Sequence, residues 1–118
     1  MILVIYQMDV LAEKIKEFLQ AVPEILGDAA QQPGCIGHCI CRDIEDEYRI
    51  LTIQAWENQI QLDAHWRSDR YSTFLGTFHL LKNEPVVQIH AVSFTAGMEA
   101  VKAARAKPKS PGAKPLQD

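Results

Sequence analysis

No apolar run in the sequence approaches the ~20 residues that cross a bilayer, so a membrane-spanning helix is not expected. Met1 to Gln7 is apolar but short, with no basic leader and no small-residue cleavage site. It reads as a strand rather than a signal peptide. Cysteine is scarce: three residues, an odd number, which argues against a disulfide framework and suits a reducing, cytoplasmic setting. Cys35, Cys39 and Cys41 all carry odd numbers within one expected strand, so they are expected on one sheet face as buried structural thiols. No Cys-x-x-Cys pair or other ligand spacing accompanies them, and no metal site is expected. A Gly-rich phosphate loop and a Ser/His/Asp arrangement are also missing. Basic charge is sparse where a nucleic acid would need it. Residues 1–96 hold seven basic and thirteen acidic groups, a net −6, against +3 for residues 97–118. An acidic body offers phosphate backbones no footprint, so no nucleic-acid partner is expected.

What is present fits one domain of 118 residues. Met1 to Gln7 is β-rich. Asp9 is placed to cap a helix whose stripe is Leu11, Ile15, Phe18, Leu19, Val22 and Leu26, with a kink or early end at Pro23. Gln32-Pro33-Gly34 breaks that helix. Cys35 to Asp43 and Tyr48 to Glu57 form two strands joined by the polar hairpin Ile44 to Glu47. Asn58 and Ser68 are placed to cap a second and a third helix. The third carries Tyr71, Phe74, Leu75, Phe78 and Leu81 at three-four spacing and ends at Glu84-Pro85. Val86 to Phe94 is a fourth strand, and Gly97 starts a short Ala-rich helical stretch. From Lys107 the Lys-Pro-Ser-Gly composition cannot build a core. The order predicts an α+β, ferredoxin-like βαββαβ domain over residues 1–96, a four-stranded antiparallel sheet with helices on one face. Residues 97–118 form a helical stretch and a basic, flexible tail.

A one-sided sheet should alternate apolar and polar side chains. Here both sets are apolar: Leu51, Ile53 and Ala55 oppose Ile50, Thr52 and Trp56, and the fourth strand repeats the pattern. Helices cover one face only. At ~25 cal/mol per Å² of apolar surface, leaving the other wet would forfeit several kcal/mol. A second copy of the chain is the simplest cover, so a homodimer is expected.

The groups able to do chemistry are aromatic, imidazole and amide side chains. Thr52, Gln54 and Trp56 share one strand face, and His65 follows on the next helix, one turn after Leu62. Tyr6, His38 and His90 share the even parity of their strands, and Tyr71 and Phe74 lie on the third helix. Each also has a plain structural role open to it. A buried histidine is often only a hydrogen-bonded core residue, and an aromatic stripe is more often packing than pocket.

The pieces QPGCIGH (32–38), RDIEDEYRILTIQAWEN (42–58), LDAHWRSDRY (62–71) and PVVQIH (85–90), in this order and spacing, resemble the antibiotic-biosynthesis monooxygenase domain. The resemblance implies a dimeric α+β barrel and cofactor-independent oxidation of an aromatic small molecule by O2. In the polyketide-oxidising members the strand-ending Trp is accompanied by Asn four residues earlier and Tyr six later. This chain keeps Trp56 but has Thr52 and Leu62 at those places. Haem-degrading members carry Trp where His65 stands and a haem-ligating His where Leu75 stands, so haem chemistry is disfavoured. The Leu-x-Ala-His arrangement is similar to the quinol-oxygenase branch. It points to His65, which is expected as the catalytic base with Trp56 as an aromatic wall. The residues nominated by the strand and helix faces, Thr52, Gln54, Tyr6, Tyr71, Phe74, His38 and His90, are the expected substrate-binding set. Two other functions fit the same surface: a non-oxidative isomerase using His65, and a non-catalytic small-molecule-binding dimeric module.

Overall fold

The computed structural model of the chain describes residues 1–106. The basic tail expected from Lys107 onward therefore lies outside the described residues. Four strands, β1 (Ile2–Asp9), β2 (Cys35–Arg42), β3 (Arg49–Trp56) and β4 (Val86–Ala91), form one antiparallel sheet in the order β2-β3-β1-β4. Four helices, α1 (Ile15–Ala29), α2 (Gln59–Trp66), α3 (Asp69–Leu75) and α4 (Met98–Ala106), punctuate it. This is the ferredoxin-like arrangement that the element order predicts. Among the described residues no helix is long and apolar enough to cross a membrane.

The register sets which side chains meet. Tyr6 opposes Thr52, Val4 opposes Gln54 and Ile2 opposes Trp56, while His38 and Ile40 of β2 flank Gln54 and Thr52. On β1 and β3 these even-numbered side chains pack under the helices, and Val4, Tyr6, Met8, Ile50 and Trp56 are almost wholly buried. The odd positions Leu3, Ile5, Leu51, Ile53 and Ala55 line the other face and are half-buried. β4 differs: Val87 and Ile89, on the helix side, are 42% and 52% exposed, so the helices stop short of this edge. Every residue of α4 is exposed or only partly covered.

Local chemistry decides the helix starts. Asn58 and Ser68 cap α2 and α3 as expected, their side-chain oxygens accepting from the backbone N–H of Gln61 (3.0 Å) and Tyr71 (3.2 Å). Asp9 does not cap α1. It remains in the sheet opposite Arg49, its carboxylate accepting from Arg49 Nε at 3.0 Å, and the chain enters α1 later through a 3₁₀ turn at Ala12–Lys14. Strand pairing holds Asp9 extended and ends its chance to act as a cap. Nor does Pro23 end α1, which continues to Ala29 with the Pro23 ring exposed. An interior proline costs a helix about 3 kcal/mol. Full burial of Phe18, Val22 and Leu26 on the same helix is worth about 1.5–3 kcal/mol for each side chain, which outweighs it. The third helix is shorter than its apolar stripe suggests. It stops at Leu75, itself 46% exposed, and a 3₁₀ turn at Phe78–Leu80 carries the remaining apolar residues.

The cysteines do not share a face. The β2–β3 register shifts between Cys35 and Gly37, placing Cys35 opposite Trp56, half-buried against the core. Cys39 and Cys41 pair with Ile53 and Leu51 on the open side and are exposed, their sulfurs 3.8 Å apart. One extra residue in a strand reverses the parity of everything beyond it, which defeats the expectation of three buried thiols.

Candidate functional site

Gln32, Pro33 and Gly34 carry the chain from α1 into β2, and this turn meets the first turns of α2. Gly34 has φ +88°, a conformation open to glycine, and a Cβ there would collide with the Gln61 side chain. The Gly34 carbonyl accepts from Glu57 N–H at 2.8 Å, fixing the turn against the end of β3. With the chain so close, Gln32, Pro33, Gln61, Ala64 and His65 line a half-open cleft of about 180 Å³.

His65 is the floor of this cleft and is only 3% exposed. Its ring stacks on Trp56 (centroids 4.7 Å, planes 28° apart) and meets the Tyr71 ring edge-on at 5.3 Å. Its Nδ1 lies 2.7 Å from Gln32 Oε1. Ser68 Oγ donates to the His65 carbonyl at 2.6 Å, tying the end of α2 to the start of α3. Burial holds the imidazole below its ordinary pKa, so the ring is neutral at pH 7.

Behind His65 the aromatic groups form a continuous wall. Trp56 is wholly buried and donates its indole N–H to Gln54 Oε1 at 3.1 Å. The hydroxyls of Tyr6 and Tyr71 are 2.6 Å apart, and Phe74 packs edge-on against both rings. Burial, reinforced by the Tyr71 hydroxyl, pushes the Tyr6 phenol far above its ordinary pKa, so it stays protonated. Thr52 is wholly buried, and its hydroxyl has no partner among the described residues.

The structure therefore gathers Trp56, His65, Gln54, Thr52, Tyr6, Tyr71 and Phe74 on the helix side of the sheet. Of these, His65 alone is among the residues that line the cleft; Trp56 backs the ring from beneath. His38 shares this side beside Gln54, with Nε2 buried and unpartnered among the described residues, and burial lowers its pKa. His90 does not join them. It opposes Leu3 on the other face and is exposed, because even positions of β4 pair with odd positions of β1. Equal parity within separate strands never fixed a common face. Gln32 and Gln61 are the residues that sequence reasoning missed. The Pro33-Gly34 turn was the one available signal, since it marks where the chain must bend close to a neighbour.

The site can therefore offer a neutral imidazole, sealed on its inner side and open on its outer side, with amide groups at the rim. A family model described as antibiotic biosynthesis monooxygenase matches residues 1–76. Several solved structures share the fold. One is described as an antibiotic biosynthesis monooxygenase, at 20% identity over 78% of this chain and 98% of that one, TM-score 0.73. Another is a conserved protein from Methanosarcina mazei Go1, at 23% identity over 75% and 89%, TM-score 0.71. A third is Rv0793 from Mycobacterium tuberculosis, at 15% identity over 81% and 98%, TM-score 0.75. No curated protein matches the chain.

Proposed function

Because the chain belongs to the antibiotic biosynthesis monooxygenase family, we propose that it is a cofactor-independent monooxygenase of a small phenol or quinol, with His65 as the base. The observation that carries this reading is the His65 imidazole. It is neutral, pinned by Gln32 and Trp56, and set in a cleft of about 180 Å³. A cavity of roughly 150 Å³ accepts one benzene ring. The cleft therefore suits a single aromatic ring better than a polycyclic one.

His65 takes the hydroxyl proton, and the resulting phenolate is electron-rich enough to reduce O2 directly. A ring C–H becomes C=O, one oxygen atom enters the product quinone, and the other leaves as water. The substrate supplies the electrons. The protein supplies a base, a position and a partly dry setting. The rigid wall of Trp56, Tyr6, Tyr71 and Phe74, with Gln54 holding the indole, keeps the imidazole from turning.

We also infer a homodimer built on residues 1–96 and located in the cytoplasm. The apolar open face of β1 and β3, and the bare edge β4, support it.

To test the activity, metal-free protein is mixed with phenol, hydroquinone and 1-naphthol while O2 uptake and quinone formation are followed. Uptake is expected to fall at least ~100-fold in His65→Ala, the usual scale for a lost general base. Unchanged uptake removes His65 from the role. Product without O2 loss means an isomerase. Binding without turnover means a binding module, a reading favoured by Thr52 and Leu62 in place of the Asn and Tyr of the polyketide-oxidising members.

A further inference from the structure

Gln32 stands in the turn before β2, 33 residues from His65 in sequence, yet its Oε1 meets His65 Nδ1 at 2.7 Å. A carbonyl oxygen has lone pairs and no proton, so it can only accept. The proton of the bond must then belong to Nδ1. A neutral imidazole has one N–H, so its lone pair resides on Nε2, which makes no hydrogen bond among the described residues.

We propose that Gln32 is a positioning residue that locks His65 as the Nδ1–H tautomer and so presents Nε2 as the proton-accepting atom of the cleft. Without this bond the two tautomers exchange freely, and part of the protein would offer the cleft an N–H, which cannot take a proton. The turn geometry serves the same end. Gly34 lets the chain pass close enough to α2 for Gln32 to reach the ring, and Pro33 and Gln32 both line the cleft. The tautomer assignment stands on geometry alone. Its catalytic meaning rests on the function proposed above.

The ring's other neighbours do not compete for Nδ1. Trp56 of β3 lies against its face, and Tyr71 of α3 meets it edge-on with Tyr6 of β1 behind. Of the charged groups on α1 and α3, Asp28 and Arg70 face each other at 3.8 Å and are exposed. Asp63 of α2 accepts from Gln59 at 2.7 Å. Gln32 is the polar side chain bonded to the ring among the described residues.

The experiment is ¹⁵N NMR of the histidine side chains in the full chain, with His65 assigned by its loss in His65→Gln, together with O2 uptake on hydroquinone. The wild-type ring should show a pyrrole-type Nδ1 and a pyridine-type Nε2. Gln32→Leu should give mixed shifts at both nitrogens and lower kcat about tenfold or more, with KM less affected. Gln32→Glu keeps an acceptor, so it should restore the single tautomer. Its negative charge should also raise the His65 titration midpoint and shift the rising limb of the pH–rate profile upward. A protonated Nε2 in the wild type overturns the proposal. So does a single, unchanged tautomer in Gln32→Leu, or an unmoved midpoint in Gln32→Glu. Correct tautomers with no O2 uptake in the wild type would leave the positioning role in place and sink the monooxygenase reading instead.

Discussion

Replacing Gly34 with alanine separates two effects that the turn combines. The first is backbone strain. A φ of +88° suits glycine, whereas an L-residue held there costs about 1–2 kcal/mol. The second is a collision, because the new Cβ falls on the Gln61 side chain. The partly buried Gln61 amide can swing away, which opens the cleft wall beside His65, but its Cβ, 2.7 Å from the new one, yields only if the backbone shifts. Loss of its packing adds about 1 kcal/mol, for a total near 2–3 kcal/mol. With a urea slope of roughly 1–3 kcal/mol per M for a small domain, the unfolding midpoint should fall by about 0.7–3 M. Gln61→Gly removes the obstacle, its Cβ included. If the two parts are as described, the double variant recovers the collision share and keeps the strain share, a coupling of about 1 kcal/mol. A Gly34→Ala protein as stable as the parent refutes the strained turn. A double variant whose losses simply add refutes the contact, and with it the account of how the cleft is walled.

Three further outcomes follow from the same geometry. Tyr6→Phe strands the half-buried Tyr71 hydroxyl now 2.6 Å from its partner, and should cost about 1–2 kcal/mol in urea unfolding; a neutral result would mean that water already serves that hydroxyl. Burial lowers the pKa of both His65 and His38, so the unfolded chain binds protons more readily than the folded one in mild acid. Stability should be full above about pH 6.5, decline as pH falls through the depressed folded values, and decline less in His65→Gln; a flat urea midpoint between pH 7.5 and 5 contradicts the burial of these rings. A thiol reagent on dilute protein should label exposed Cys39 and Cys41 before the half-buried Cys35, and labelling of the first two should slow as concentration rises if a second copy covers the open face. All three thiols reacting at the same rate would place them on one face, as in a strand without a bulge.

The legible part of this protein is the part that local periodicity controls. The β-branched and aromatic content of Arg49–Trp56 and the stripe of Phe18, Val22 and Leu26 identify strand and helix without any knowledge of neighbours, and Asn58 and Ser68 satisfy backbone groups three residues away. The order of such elements then leaves few topologies, and the ferredoxin-like one follows. Apolar residues on both sides of β3 were equally readable, because a face needs only its own residues to be greasy.

What escaped reading depends on which chain segment arrives next to which. Asp9 looks like a cap until Arg49, forty positions away, holds it in the sheet. His90 shares parity with Tyr6, but parity acquires a direction only once Leu3 is known to sit opposite it. Cys39 and Cys41 are reversed by one bulge that no residue type announces. The site shows the same division. His65 was visible because imidazole is rare and its helix has an inward side, whereas Gln32 is an ordinary amide whose role exists only through a 2.7 Å contact across 33 residues. Residues that perform chemistry tend to be chemically distinctive and so can be nominated from type alone. Those that orient them are chosen by distance, and any acceptor of the right length would serve. It follows that Gln32→Glu should be tolerated in the fold while Gln32→Leu is not tolerated in function.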